Sequence, residues 1–254
     1  VKNFSEILDV SNGIMVARGD MGVEIAFERL PGIQKEFIKR CYQAGKVVIT
    51  ATQMLESMTH NPNPTRAEIT DVANAVFDGT SAVMLSGESA AGDYPVRAVQ
   101  TMARIVKQAE TDALHMGAYD DIKYDLDATD VANAICDAAC TTARDIKAKA
   151  ILTVTTSGYT ARRMSKFRPE TLVIAATPEA KTYHQLSMSW GVIPVMAKYQ
   201  PNSDLLFEHA IECAKQTGIV SGGDYVVMTA GIPVCTTGNT NVLKVERVPC
   251  DRCL

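Results

Sequence analysis

Three times in its first 113 residues, the chain repeats one pattern: a short apolar run, a polar loop and then an amphipathic segment. The runs lie at 14–17, 47–51 and 82–85. Unbroken apolar runs, rather than alternating ones, are typical of strands covered on both faces, as in parallel sheets. The alternation of such strands with helices predicts an α/β fold for this part of the chain.

The segments between the runs carry the start signals of helices. Pro31 and Pro95 suit the first turn of a helix, where a missing N–H costs nothing. Thr65 and Glu68 have the spacing of a capping box. A closed barrel needs eight strand–helix units and about 250 residues, so the three units in residues 1–116 predict only part of a barrel.

A second α/β region follows residues 117–129, which are polar and unpatterned and which we predict to be a linker. Thr129 is placed to cap the first helix of this region. A loop rather than a helix precedes the last apolar run, so we expect that run to be an antiparallel edge strand. The pattern predicts a doubly wound, five-stranded α/β domain over 130–248, followed by a tail at 249–254. Its five apolar runs lie at 150–154, 172–176, 192–196, 225–229 and 242–248.

Composition indicates which binding partners and which cellular compartment to expect for this protein. The net charge is −4 and the basic residues are scattered, so we expect no nucleic-acid partner. We also expect no membrane association, because no apolar stretch reaches the roughly 18 residues of a membrane span. Seven Cys residues, mostly in apolar helical patterns, suit a reducing cytoplasm better than a disulfide framework. The spacing of Cys250 and Cys253 allows a metal or redox pair but equally an ordinary tail.

Polar residues follow each of the three predicted barrel strands, where reactive groups of parallel α/β folds lie. Asp20 follows Gly19 and could hold a divalent metal beside exposed amides, or could simply cap a helix. Thr52 and Ser86 could act in catalysis or cap the turns that they begin. Glu88 could equally anchor a buried loop.

In the second region, Thr155–Ala161 follows an apolar strand and opens a helix. Its hydroxyls, its Gly and the free amides of a helix N-terminus are the groups that bind a phosphate. The alternative is an ordinary strand-to-helix turn capped by Thr.

Five segments of the first region carry distinctive motifs: Gly13–Glu24, Thr50–Met58, Pro64–Glu68, Asp71–Val76 and Met84–Glu88. Together they resemble signature segments of the pyruvate kinase family, and the likeness extends to about Val248. The resemblance implies the last three β/α units of a TIM-type (β/α)8 barrel, followed by the family's allosteric domain.

The resemblance implies phosphoryl transfer from phosphoenolpyruvate to ADP in glycolysis, giving pyruvate and ATP. It assigns Asp20 as a ligand of Mg²⁺ or Mn²⁺ and the amides of Gly19 and Asp20 to the substrate carboxylate. Thr52 would hydrogen-bond that carboxylate near the carbon that is protonated, and Ser86 would belong to the proton relay. K⁺ is the second cofactor implied, and a cytoplasmic homotetramer is the implied assembly.

The resemblance also assigns a phosphorylated allosteric effector to the second domain. Ala230–Val234 and Gly238–Asn241 are similar to the effector loop of the family, although Cys235 stands where relatives often have Gly. The identity of the effector stays open for that reason. The implied contacts are Thr155, Thr156, Ser157, Gly158 and Thr160.

One family motif is missing from this sequence. In the family, a Lys-x-Glu at the end of the strand before 14–17 supplies the second metal carboxylate and a Lys for the transferring group. That strand would end several residues before Val1, so we expect neither residue in this chain. We therefore predict that this polypeptide is inactive alone. Two other interpretations stay open: a non-catalytic module that binds a phosphorylated metabolite, and a lyase built on a related barrel.

Overall fold

The computed structural model describes residues 1–117, 130–234 and 238–250. The chain forms two compact units, Val1–Tyr124 and Asp125–Leu254. The predicted linker at 117–129 lies outside the described residues except for Gly117, and the predicted tail does so from residue 251 onward. Thr129, Cys235 and Cys253 also lie outside them.

The first unit contains a three-stranded parallel sheet in the order β1-β2-β3. Its strands are β1 (Gly13–Ala17), β2 (Val47–Ala51) and β3 (Ala82–Val83). The third strand is shorter than its apolar run predicts, because the pairing with β2 ends at Val83 and only one further amide, that of Met84, bonds back to Thr50.

The described residues of this unit also form six α-helices and two 3-10 turns. The apolar side of α3 packs on β1 and β2, where the rings of Phe4 and Phe37 stack with their centroids 3.7 Å apart. A second core joins the segment after β2 to α4 and α6. The helices are α1 (Phe4–Val10), α2 (Arg18–Glu24), α3 (Leu30–Gln43), α4 (Arg66–Phe77), α5 (Gly87–Ala90) and α6 (Pro95–His115), and the 3-10 turns are Phe27–Arg29 and Glu56–Thr59.

The predicted capping box at the start of α4 is present and extends to a neighbouring turn. The Thr65 side chain accepts from the Glu68 amide, and the Glu68 carboxylate accepts from the Thr65 amide at 2.7 Å. That carboxylate also accepts from the amide and the hydroxyl of Ser57, at 2.7 and 2.6 Å. Glu68 therefore fastens the turn after β2 to the first turn of α4.

We expect this carboxylate to make stability depend on pH. Burial raises the pKa of Glu68, but the hydrogen bonds from Ser57 and Thr65 outweigh burial and lower it below its ordinary 4.5. The stabilisation is therefore complete above the unfolded pKa and is lost as pH falls through the lower, folded pKa. Glu68→Gln should cost about 1 kcal/mol at pH 7 in urea unfolding and less at pH 3, with exposed Glu36→Gln as the control. An equal cost at both pH values would contradict this.

The second unit contains a five-stranded sheet in the order β6-β5-β4-β7-β8. β8 pairs antiparallel with β7, as predicted, and the other pairs are parallel. The strands are β4 (Ala150–Val154), β5 (Val173–Thr177), β6 (Val192–Met196), β7 (Tyr225–Ala230) and β8 (Val242–Arg247). The helices are α7 (Val131–Asp145), α8 (Tyr159–Lys166), α9 (Ala180–Leu186) and α10 (Ser203–Gln216).

Helices cover both faces of this sheet. Successive residues of β4 point to opposite faces, so Ile151 packs in a core with α7, α8 and α9 while Leu152 packs in another with α10. The prediction that Thr129 caps the first helix is wrong: α7 begins at Val131, and its cap is Asp130, whose carboxylate accepts from the Asn133 amide at 3.0 Å. Within the described ranges, no helix combines the length and the apolar character needed to cross a bilayer.

Candidate functional site

The carboxyl ends of three parallel strands meet at one edge of the first unit's sheet. Arg18 follows β1 directly, Thr52 follows β2, and Ser86 comes three residues after β3. Since the strands pair in register and run the same way, their following loops lie at the same edge. Loops at this position carry the reactive groups in folds built from strand–helix units.

Asp20 lies in the first turn of the seven-residue helix α2, and its side chain is exposed. It does not cap the helix, because the cap position is Ala17 and has no side-chain hydrogen bond. The alternative that Asp20 serves only as a cap is therefore wrong. The carboxylate is available to a ligand outside the chain.

Thr52 joins the ends of β1 and β2. Its hydroxyl accepts a hydrogen bond from the Gly19 amide at 2.9 Å and donates to the Ala51 carbonyl at 2.6 Å. Thr52 and Gln53 both have positive φ, 69° and 52°, a conformation that is rare for residues other than Gly and strained for a β-branched one. The structure thus brings Thr52 to the residue beside Asp20.

Arg18 is the residue of this edge that the sequence did not single out. Its side chain is 10% exposed, and its guanidinium spans the loop after β2. Nη2 donates to the carbonyls of Thr52 and Gln53 at 2.6 and 3.1 Å, and Nη1 contacts both carboxylate oxygens of Asp71 at 2.7 and 2.6 Å. The signal in the sequence is weak, since an Arg directly after a strand is usually solvated.

Glu88 joins the loop after β2 to the loop after β3. It is 1% exposed, and its carboxylate accepts from the amides of Leu55 and Ser86, at 3.1 and 2.7 Å. The interpretation of Glu88 as a buried loop anchor is confirmed. The backbone of Ser86 is held in this way, but among the described residues no hydrogen bond connects its hydroxyl to Thr52 or Asp20.

The residues of this edge do not make a complete site for a divalent metal. Among the described residues, no group of three or more His, Cys, Asp or Glu side chains is arranged to hold an ion. Asp20 supplies a single carboxylate, and Mg²⁺ needs octahedral coordination that one side chain cannot organise. Any metal here would therefore depend on ligands from outside the described residues.

The second unit contains a pocket at the carboxyl ends of its strands, with a cavity volume of about 70 Å³. Four of the five residues predicted to bind an effector line it: Thr155, Thr156, Ser157 and Thr160. The described part of the predicted effector loop also lines the pocket, through Gly231, Val234 and Gly238–Thr240. Lys198, Tyr199 and Gln200 line it as well, and among the described lining residues only Lys198 carries a positive charge.

The hydroxyls at this pocket are partly engaged within the protein. Thr155 Oγ1 accepts a hydrogen bond from the Gly158 amide at 3.0 Å, a contact that is also found in ordinary strand-to-helix turns. Thr160 Oγ1 is 2.6 Å from Thr240 Oγ1, 80 residues further along the chain. Ser157 is exposed. Gly158 has φ +79°, a backbone conformation that is strained for residues with a side chain, so the turn favours a Gly.

Comparison with known proteins identifies both units. Residues 1–99 match the model of the pyruvate kinase barrel domain, and residues 133–246 match that of the pyruvate kinase alpha/beta domain. A pyruvate kinase of Clostridium acetobutylicum is 50% identical over 248 residues, covering 98% of this chain and 52% of that protein. A pyruvate kinase of Lactobacillus delbrueckii subsp. bulgaricus is 49% identical over 251 residues, covering 97% of this chain and 42% of that protein.

A pyruvate kinase of Staphylococcus aureus, strain USA300, is 50% identical over 248 residues, covering 98% of this chain and 42% of that protein. The chain therefore spans about half the length of the curated relatives that it matches. Each of the two domain matches lies within one of the two units. The chain belongs to the pyruvate kinase family.

Proposed function

We propose that this chain is part of an enzyme that transfers the phosphoryl group of phosphoenolpyruvate to ADP, giving pyruvate and ATP. Membership of the family supports the reaction, and one contact carries the assignment of the site. The hydrogen bond from the Gly19 amide to Thr52 Oγ1 joins the two strand ends to which the family resemblance assigns the substrate carboxylate. The three strand–helix units would then be the last three of a closed barrel.

The proposed roles follow from what each group can donate or accept. The amides of Gly19 and Asp20 would bind the carboxylate of phosphoenolpyruvate, and Thr52 would donate to it. Since the Gly19 amide is already bonded to Thr52 Oγ1, the carboxylate would share that amide or replace the hydroxyl there. Ser86, held through its amide by Glu88, would belong to the proton relay toward the enolpyruvate carbon.

Asp20 would be one ligand of Mg²⁺ or Mn²⁺, which neutralises charge on the phosphoryl group when bound. The remaining ligands would be substrate oxygens and the second family carboxylate, which this sequence does not contain. K⁺ and most nucleotide contacts would likewise lie outside this chain. A homotetramer in the cytoplasm is the assembly and compartment that we propose for the whole enzyme.

A chimera tests the proposed reaction. In it, this chain replaces the matching part of the Clostridium acetobutylicum relative, which supplies the missing half at 50% identity over the exchanged part. We expect the chimera to form pyruvate from phosphoenolpyruvate and ADP in an assay coupled to lactate dehydrogenase. A folded chimera without turnover would count against the proposal.

The pocket of the second unit favours a second role, the binding of a phosphorylated metabolite. Its lining combines hydroxyls, the start of α8 and one Lys, the groups that recognise a phosphate. This role is compatible with catalysis and would also serve as the sole function of a non-catalytic module.

We expect the 254-residue chain to bind a sugar phosphate or a nucleoside monophosphate in calorimetry. Ser157→Ala together with Thr155→Val should weaken binding about 10²-fold, since each lost hydrogen bond to a charged group costs roughly 1.5 kcal/mol and the double variant loses two. Ser187→Ala is the matched control, because Ser187 is exposed at the C-cap of α9 and does not line the pocket. Absence of binding across a panel of such metabolites would contradict the role.

A further inference from the structure

The loop after β2 has a strained backbone that needs an external restraint. Thr52 and Gln53 are consecutive non-Gly residues with φ of 69° and 52°. Residues held in such a conformation cost about 1–3 kcal/mol each and persist only where their surroundings enforce it. The conformation turns the Thr52 hydroxyl toward the Gly19 amide, so the restraint also decides where that hydroxyl lies.

Arg18 supplies a restraint of the required shape. Its Nε lies 3.1 Å from the Thr52 carbonyl and 3.3 Å from that of Ala51. Its Nη2 donates to the Thr52 and Gln53 carbonyls, and Met54 Sδ lies 2.9 Å from the same nitrogen. One planar cation thus contacts four successive residues, the last residue of β2 and the first three of the loop, a geometry that a Lys ammonium cannot reproduce.

Asp71 fixes the guanidinium from the opposite side. Its carboxylate lies on α4, 53 residues from Arg18, and contacts Nη1 at 2.7 and 2.6 Å. Arg18 is 10% exposed and Asp71 is 36% exposed, so this pair is screened less than a fully exposed ion pair. Arg18 and Asp71 therefore connect three elements: the start of α2, the loop after β2 and α4.

We propose that Arg18, held by Asp71, is a positioning residue that keeps the Thr52 hydroxyl at the Gly19 amide and hence at the substrate carboxylate and the carbon that is protonated. This role rests on the proposed function for its kinetic consequence but not for its structural one. Arg18 touches no substrate group in this scheme and acts through Thr52. Its charge also lies next to the loop that would receive an anionic substrate.

The structural consequence is measurable in the 254-residue chain itself. With ¹⁵N-glycine labelling, hydrogen exchange at the Gly19 amide reports its bond to Thr52 Oγ1, and Gly19→Ala identifies the signal. We expect Arg18→Lys to speed this exchange about tenfold, the loss of one hydrogen bond of ordinary strength. Arg97→Lys, at an exposed Arg that bonds only Asn63 among the described contacts, should leave it unchanged.

The kinetic consequence is measured in the chimera. Deuterium uptake into the pyruvate methyl group reports the reverse of the proton transfer. We expect Arg18→Lys to lower both this uptake and kcat by about 10²-fold, with a smaller change in KM. A displacement of a catalytic group by about 1 Å has an effect of this size. Asp71→Asn, which leaves Arg18 in the chain, should shift both quantities in the same direction by a smaller factor.

The results of these experiments distinguish a failure of the proposed function from a failure of the positioning role of Arg18. If the unmutated chimera lacks turnover, the proposed function fails, and Gly19 exchange alone decides the role of Arg18. If folded Arg18→Lys and Asp71→Asn keep slow Gly19 exchange, the positioning role is overturned. It is also overturned if exchange accelerates but kcat and deuterium uptake stay at the level of Arg97→Lys.

Discussion

Replacing Asp20 with Asn in the chimera should lower kcat/KM for phosphoenolpyruvate by about 10³-fold, a loss of about 4 kcal/mol of transition-state stabilisation. The substitution keeps the size of the side chain and removes its charge. Asp20 is exposed in the first turn of α2 and has no role as a cap, so the fold should tolerate the change. The loss would therefore report a missing ligand rather than a missing structural contact.

A neighbouring carboxylate provides the control for Asp20. Glu24 is exposed on the same short helix, one turn further on, and Glu24→Gln removes the same charge from the same element. We expect this variant to keep its kcat/KM within about twofold of the unmutated chimera, because the effect of one exposed charge is screened at physiological ionic strength. Equal losses of kcat/KM in the two variants would mean that Asp20 acts only through the negative charge that it adds to α2, and not as a ligand.

The 254-residue chain alone should show no measurable turnover of phosphoenolpyruvate, although we expect the chimera that contains it to be active. The described residues offer no group of three metal-binding side chains, and Asp20 alone cannot organise the octahedral shell of Mg²⁺. The Lys that would steady the transferring phosphoryl group is also missing from the sequence. The missing metal ligands and the missing Lys would both act on the transferring phosphoryl group, so we expect that the chain cannot make up for the loss of either.

Binding in the second unit provides the control for the isolated chain. If the chain binds a phosphorylated metabolite in calorimetry while it lacks turnover, the inactivity does not arise from an unfolded protein. A rate within tenfold of a full-length relative would contradict the inference that the missing Lys-x-Glu is required. The non-catalytic interpretation would gain if the chimera were inactive and the chain still bound its metabolite.

Local signals in the sequence account for much of the fold. The apolar runs became β1, β2 and all five strands of the second unit within one residue. For the central strands β4 and β5, the reason is burial on both faces, which leaves an unbroken apolar pattern. Thr65 and Glu68 formed the capping box because all its groups lie within four residues. The cap of α7 was misplaced by one residue, since Thr129 and Asp130 are both good caps and only the backbone decides between them.

The contacts that build the two sites could not be predicted in this way. Arg18 reaches Asp71 across 53 residues, and Thr160 meets Thr240 across 80. No local pattern encodes either pairing. The left-handed conformation of Thr52 runs against its preference as a β-branched residue, so tertiary contacts must override the sequence there.

Binding of Mn²⁺ is the measurement that tests the central claim most directly, because the claim is that Asp20 holds a cation at the strand ends. Electron paramagnetic resonance would follow free Mn²⁺ during titration of the chimera in the presence of phosphoenolpyruvate. We predict that Asp20→Asn weakens the binding by about tenfold or more, while Glu24→Gln binds Mn²⁺ as the unmutated chimera does. Equal Mn²⁺ affinities for all three proteins would contradict the assignment of Asp20 as a metal ligand.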